Sequence, residues 1–391
     1  MQLARILTAP LVVDVRRGAV ADLGVLLADR RIVTEGRVAV AVGPGQGDGV
    51  VAELDMRTAQ VFRVEDGSVD AAIALGKQLR ADAYEAVAGI GGGKIIDVTK
   101  FAAHMAGIPM VAVATNLAHD GIASPVSSLE HESGKGSYGV VPPVAVVIDL
   151  DRVRTGPPRM VRAGIGDVVN NLSAIADWEL AAADRGEPID GLAVSLARTA
   201  AQAVLHQPGT VADDEFLTVL AESLVLSGIA MTVAGSSRPG SGGDHEILHA
   251  IDQLYPGAGT HGELAGLGAL FCTYLRGDER LFALMSACLR RHELPRTPAD
   301  LGLGPDEFTK AVLHAPATRP GRYTILERLD LDEREIAVRV AGFTAAVTSE
   351  GPSTGASNGP AAGPSAGPDA GPSAGPDAGP SAGPDAGPDG A

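Results

Sequence analysis

Four apolar runs in the first half of the chain lack the polar alternation of a half-solvated strand. They are Arg37–Val42 (RVAVAV), Ala86–Ile90, Pro109–Thr115 (PMVAVAT) and Val144–Ile148. A strand that is apolar at every position must be covered on both faces, and the usual arrangement is a parallel sheet sandwiched between helices. Val69–Arg80 and Lys94–Ala106, which lie between the runs, repeat apolar residues at helical spacing. From about Pro157 the strand runs cease. Arg159–Gly164, Asp167–Ala183, Leu192–His206, Asp213–Ala234, Asp244–Leu254, Gly262–Leu275, Arg280–His292, Pro305–Ala315 and Asp332–Val347 then all carry helical spacing. The expected organisation is an α/β domain over residues 1–153, an all-helical domain over 154–348, and a tail over 349–391. In that tail Gly-Pro-Ser-Ala-Gly-Pro-Asp-Ala recurs at 363–370, 371–378 and 379–386. With no residue larger than Asp or Pro and no apolar face, the repeat cannot offset the entropy of ordering and is expected to be disordered.

Composition narrows the function. Aromatic residues are 3% of the chain against 45% hydrophobic residues, so the cores must be built from Ala, Val, Leu and Ile. A formal charge of −17 argues against nucleic acid and against an anionic membrane surface, both of which reward basic patches. Cys272 and Cys288 fall in apolar helical patterns and read as buried thiols, not a disulfide framework. The run Ile6–Val13 soon meets Asp14, Arg16 and Arg17, unlike a signal peptide, and no apolar run approaches twenty residues. The expectation is a cytoplasmic enzyme or binding protein without membrane insertion. A homo-oligomer is compatible with such a chain.

Chemistry concentrates at a few loops. His245-Glu246-Ile247-Leu248-His249 places two histidines four apart on one helical face, the spacing of the zinc proteases. The metzincin continuation, however, requires Gly where Asp252 stands and His where Tyr255 stands. Glu263 could serve as a third ligand in the zincin manner, but the α/β half would then have no role. Gly89–Asp97 contains Gly91-Gly92-Gly93-Lys94 between a strand and a helix, where glycines let a pyrophosphate approach the backbone and a helix N-terminus offers free N–H groups. It is neither a Walker A loop, because Ile95 follows Lys94, nor a strict G-x-G-x-x-G, and a tight turn is an equal reading. Thr115–Pro125 follows the next strand with six polar or turn-forming side chains, as a binding or a capping loop would. Asp167, after Gly164 and Gly166, reads by default as a helix N-cap. Arg238 is the one cation of the Ser236–Gly243 loop, either solvated or holding an anion.

Taken together, Gly91-Gly92-Gly93-Lys94-x-x-Asp97, Thr115-x-x-x-His119-Asp120-Gly121-x-Ala123-Ser124, Gly164-x-Gly166-Asp167, Ser236-Ser237-Arg238-Pro239, His245-x-x-x-His249 and His261-Gly262-Glu263 occur in this order. The set resembles the sn-glycerol-1-phosphate dehydrogenases, in the superfamily of iron-dependent alcohol dehydrogenases and dehydroquinate synthase. The resemblance covers roughly residues 30–345. It implies a Rossmann-like parallel-sheet domain joined to an all-α, dehydroquinate synthase-like domain. It also implies NAD or NADP along Gly91, Gly92, Gly93, Lys94 and Asp97 and along Thr115, Asn116, Ala118 and Ser124. A metal, Zn2+ or Fe2+, would be held by Asp167, His245 and His261, with Asp120, Asp167 and His249 at a phosphorylated ketone or polyol substrate. One carboxylate and two imidazoles suit a catalytic site with open positions, and His249 and Asp120 are placed as the catalytic pair.

Asn171 stands where the iron alcohol dehydrogenases carry a further histidine, favouring the three-ligand branch. The activity implied is reduction of dihydroxyacetone phosphate to sn-glycerol 1-phosphate. One alternative is a dehydroquinate synthase-like sugar-phosphate cyclase, which would carry a glutamate at Asp167 and a basic pocket to which Lys100, Lys135 and Arg238 could contribute. The other is a nucleotide-binding protein without catalysis.

Overall fold

Successive residues of the central strands point to opposite faces, and both faces are buried. Ala39, Ala41, Val87, Ala112 and Val146 enter one apolar core, while Val40, Val42, Ala86, Ala88, Val111, Val113 and Val147 enter another. This is why the runs lack polar alternation. The structure is a computed structural model that describes residues 8–349 apart from 30, 35, 54–59 and 132–133. The tail expected to be disordered therefore lies outside the described residues, except its first residue, Ser349, which closes the last helix. The described residues group as one compact unit.

The strands are β1 (Val12–Arg16), β2 (Arg37–Val42), β3 (Gln60–Arg63), β4 (Tyr84–Gly91), β5 (Met110–Ala114), β6 (Val126–His131), β7 (Gly134–Gly139) and β8 (Ala145–Asp149). Six form one sheet in the order β1-β8-β5-β4-β2-β3, parallel throughout. β6 and β7 form a separate antiparallel hairpin, where the sequence reads as an exposed glycine-rich loop or hairpin. β1 and β3 carry no apolar-run signal because they are the sheet's edges and keep partly exposed residues. After β8 every element among the described residues is helical.

One sequence expectation needs correction. The chain does not start a helix at Asp167. A single helix, Pro158–Val169, runs through Gly164 and Gly166, and the break falls at Asn170, before the helix Asn171–Arg185. The glycines mark close packing, not a helix end. A Cβ on Gly166 would lie 2.1 Å from the Gly262 carbonyl oxygen, and one on Gly262 would lie 1.8 Å from the Ala163 carbonyl oxygen. One helix meets the length and mean composition of a membrane span. Asp214–Ala234 is long and apolar enough to cross a membrane by those two criteria alone, yet its Phe216, Leu217, Leu220 and Leu224 are in the protein core. Cys272 and Cys288 are free and buried, as expected.

Candidate active site

The glycine contact between Pro158–Val169 and His261–Arg276 brings Asp167, near the end of the first helix, against His261, the first residue of the second. The helix Gly243–Leu254 packs beside them and adds His245. One donor atom from each of Asp167, His245 and His261 lies within 4.8 Å of the others. His245 Nε2 is 3.3 Å from His261 Nε2, which is 3.3 Å from Asp167 Oδ1. Asp167 and His245 are buried, whereas the His261 side chain is 37% exposed, so the cluster opens on one side. Burial opposes the charges of this pair, but their mutual hydrogen bond prevails, lowering the Asp167 carboxyl and raising the His261 imidazole.

His245 has a further partner. Its Nδ1 lies 2.7 Å from Asp244 Oδ1, and a carboxylate that also accepts from the Gly242 N–H at 3.1 Å is the acceptor here. The proton therefore sits on Nδ1 and leaves the Nε2 lone pair for an ion; burial pulls this imidazole's pKa down. The donor set, the open side and the orienting carboxylate all fit a catalytic zinc or ferrous ion. Asp244→Asn is expected to weaken metal affinity about 10- to 100-fold, as loss of an orienting carboxylate does. Chelator competition on the purified protein measures this, and wild-type affinity in the mutant would mean that His245 is oriented by packing alone.

The second histidine of the protease-like pair is not in this cluster. The His245 and His249 rings are 6.3 Å apart, and His249 Nε2 accepts from Arg319 Nη2 at 3.2 Å, which places its proton on Nδ1. Burial, then the Arg319 charge, push its pKa down to about 2, so the ring is neutral at any working pH. Glu246 faces elsewhere. It accepts from Thr324 Oγ1 at 3.1 Å, and burial together with Glu327 pushes it up to about 9. Glu263 is also spent. It accepts from Arg159 Nε and Nη2, each at 2.7 Å, and from the Thr260 N–H at 2.8 Å, starting its own helix.

Asp120 sits against the cluster from the other half of the chain. Its backbone N–H donates to Asp167 Oδ2 at 2.8 Å, and its own Oδ2 accepts from Ser227 Oγ at 2.8 Å. Asn171 Nδ2 donates to Ser227 Oγ at 3.1 Å, so this buried amide supports Asp120 through the serine. Burial, then the Asp167 charge, raise the Asp120 carboxyl to about 7. Ser227 left no motif in the sequence; its helix reads as plain apolar core.

The two expected cofactor loops adjoin because β4 and β5 are neighbours, with Gly91 paired to Ala114 and the Thr115 N–H donating to the Gly91 carbonyl at 3.0 Å. Both leave the carboxyl ends of their strands, where ligands bind in such sheets. Gly93 begins the helix Gly93–Ala106, so its N–H and that of Lys94 belong to the first turn that lacks intrahelical partners. A side chain there would collide with the second loop: a Cβ on Gly93 would lie 2.0 Å from His119 Nε2, and one on Gly92 would lie 2.5 Å from Asn116 Nδ2. These features fit a dinucleotide's pyrophosphate.

A cavity of about 250 Å³ joins the two halves, with Lys94, Asp97, Asp120, Ser124, His245 and His261 among its walls. Gly91, Gly92, Gly93, Thr115, Asn116 and Ala118 are not among its walls; they lie at the strand ends, where Asn116 Oδ1 accepts from the Ala118 N–H at 3.3 Å.

Two basic residues weighed for an anion pocket are committed elsewhere. Lys100 is fully buried, 3.2 Å from Asp97 Oδ1, and Nζ donates to the Gly121 and Val126 carbonyls at 2.6 Å, pinning the second loop. Arg238 is neither solvated nor free. It is buried, bonds the Glu187 carboxylate through Nε at 2.7 Å, and donates to the Tyr323 carbonyl at 3.0 Å. The sequence reading missed Arg319 and Arg322, whose signal was two cations flanking the Pro320-Gly321 turn.

A parallel dinucleotide-type sheet, a helical half and a carboxylate–imidazole cluster between them define an iron-containing alcohol dehydrogenase-type protein, and residues 14–157 match the iron-containing alcohol dehydrogenase family. The chain is 38% identical over 288 residues to a glycerol-1-phosphate dehydrogenase (NAD(P)+) of Hyperthermus butylicus, covering 73% of this chain and 82% of that protein. It is 32% identical over 349 residues to the enzyme so named in Staphylothermus marinus, covering 87% and 98%. A probable glycerol dehydrogenase from Sinorhizobium meliloti superposes with a TM-score of 0.70 at 20% identity, over 89% of this chain and 100% of that one. The last comparison speaks to the fold alone. The chain belongs to the glycerol-1-phosphate dehydrogenase family.

Proposed function

We propose that this protein is a metal-dependent NAD(P)H oxidoreductase that reduces dihydroxyacetone phosphate, or a closely related phosphorylated ketone, to sn-glycerol 1-phosphate. The observation that carries the reading is the shared cleft, where the Asp167, His245 and His261 donors meet Lys94, Asp97 and Ser124 of the two strand-end loops. The substrate is inferred from the relatives, which are glycerol-1-phosphate dehydrogenases. When bound, a divalent ion at the cluster supplies Lewis acidity to a carbonyl oxygen, and the reduced nicotinamide supplies the hydride.

The chain's own groups do the rest. Asp167, His245 and His261 would hold the ion. Gly93, Lys94 and Asp97, with Thr115, Asn116, Ala118 and Ser124, hold the dinucleotide. Asp120, anchored by Ser227, orients a substrate hydroxyl. His249, neutral and fixed by Arg319, offers its Nδ1–H as a hydrogen-bond donor to the oxygen being reduced. The protein acts in the cytoplasm, in this reading, and residues 1–153 and 154–348 supply cofactor and metal halves respectively.

NADH and NADPH oxidation against a panel of phosphorylated and unphosphorylated ketones, with and without added zinc or ferrous iron, tests this directly. Metal-dependent turnover with dihydroxyacetone phosphate as the best or near-best substrate is expected. Preference for an unphosphorylated aldehyde over every phosphorylated ketone would overturn the substrate assignment.

A further inference from the structure

The turn after the helix Pro305–Thr318 carries Arg319 and Arg322 on either side of Pro320 and Gly321, whose φ is +88°. Both guanidinium groups converge on one hydroxyl: Arg319 Nη1 donates to Ser237 Oγ at 3.2 Å and Arg322 Nη2 to the same atom at 3.0 Å. Their other hydrogen bonds go to His249 Nε2 and to the Ser241 carbonyl. None of these partners carries a negative charge. Three other arginines of the helical half are matched by carboxylates: Arg238 with Glu187, Arg159 with Glu263 and Arg276 with Asp177.

Two half-buried cations that share a neutral acceptor repel each other and have lost part of their hydration. Burial, then the charges of Arg319 and Arg238, push Arg322 down to about 10, and burial also lowers Arg319. Such an arrangement is stabilised by an anion that accepts from both forks, and a phosphate offers the oxygens to do so.

The location fits. Arg319 and Arg322 line a cavity of about 730 Å³ with Lys135, whose Nζ is 3.8 Å from Asp252 Oδ2. That cavity is continuous with the metal-side cleft, because Lys135, Ser237, His249 and Arg319 are walls of both. An anionic group seated there would place the rest of a small substrate against His249 and the Asp167–His245–His261 cluster.

We infer that Arg319, Arg322 and Ser237 form the subsite that recognises the phosphate of the substrate, and that they, not Arg238 or Lys100, set the preference for a phosphorylated ketone. The inference rests on the proposed substrate class. Arg322 gives the cleaner test, since its hydrogen bonds go to Ser237 and Ser241 and not to His249.

The experiment compares metal-loaded, full-length wild type with Arg322→Ala and Arg322→Lys. The readouts are kcat/KM for dihydroxyacetone phosphate and for dihydroxyacetone, and competitive inhibition by inorganic phosphate. Arg322→Ala is expected to cut the ratio of the two kcat/KM values about 100-fold, mainly through KM, and to raise the phosphate inhibition constant by a similar factor. Arg322→Lys, which keeps the charge but loses the fork, should recover only part of the loss. An unchanged ratio and unchanged phosphate inhibition in folded, metal-loaded Arg322→Ala would overturn the subsite; if that variant does not fold, wild-type values in Arg322→Lys would do so. Should wild type itself prefer the unphosphorylated ketone, the substrate assignment fails, and phosphate inhibition alone still decides whether these arginines bind the anion.

Discussion

His245→Ala is expected to purify without stoichiometric metal and to lose at least about 10³-fold in kcat/KM, the several kcal/mol that a Lewis acid supplies to a developing oxyanion. His249→Ala, one helical turn along, is expected to keep its metal and lose about 10²- to 10³-fold, the range for loss of one hydrogen-bond donor to a developing oxyanion. The contrast follows from partners. His245 Nε2 faces His261 Nε2 at 3.3 Å, with Nδ1 held by Asp244, whereas His249 Nε2 is taken by Arg319. An isolated Asp–His pair would still be left in His245→Ala, but two ligands at a site partly open to water bind far more weakly than three. Metal analysis by mass spectrometry, alongside steady-state rates before and after addition of excess zinc or iron, separates the two variants. Equal metal loss in both would restore the protease-like geometry, with both histidines as ligands. Full activity in either would remove that residue from the site.

The residues that could be read from the chain are those whose chemistry is local. The β4 and β5 runs announced themselves because each lies in the sheet interior, and Gly91–Lys94 and Thr115–Ser124 follow strand ends, where a polar or glycine-rich segment is conspicuous. Pairings between distant elements left weaker traces. Nothing in the apolar helix Asp214–Ala234 marks Ser227 as the support for Asp120. Arg238 reads as solvated or as holding an anion because Glu187, its partner, lies 51 residues away in sequence. Arg319 and Arg322 were passed over because two arginines beside Pro-Gly look like an exposed turn until the histidine helix is packed against them. The break before Asn170 was displaced in the reading for the same reason: Gly164 and Gly166 signal a helix end locally and a helix contact globally. The protease-like spacing misleads in the opposite sense. His245 and His249 share a face as their spacing requires, but a third ligand decides which of them meets an ion, and His261 comes from another helix.

That dependence makes the helix contact a sharper test of the site than any ligand. Gly262→Ala adds one carbon at a position where its neighbour, the Ala163 carbonyl oxygen, would be 1.8 Å away, and the Ala163 carbonyl carbon 2.4 Å away. Both obstacles are backbone atoms of a buried helix, so no side-chain rotation relieves the overlap and the two helices must separate. Overpacking of this kind costs typically about 1–3 kcal/mol, and the upper end is expected where backbone opposes backbone. The helix contact also sets the distance between His261, the residue before Gly262, and Asp167, the residue after Gly166. Gly262→Ala should therefore lower the unfolding midpoint and, in whatever fraction folds, weaken metal binding, although no ligand has been touched. Gly257→Ala provides the comparison: its φ of +85° strains any side chain, but a Cβ there meets nothing within 4 Å. It should cost about 1 kcal/mol from backbone strain and leave metal affinity alone. Thermal unfolding with and without a chelator, together with metal titration, distinguishes them. Wild-type metal affinity in a destabilised Gly262→Ala would show that the cluster assembles independently of the glycine contact, and that the close approach of these helices serves packing alone.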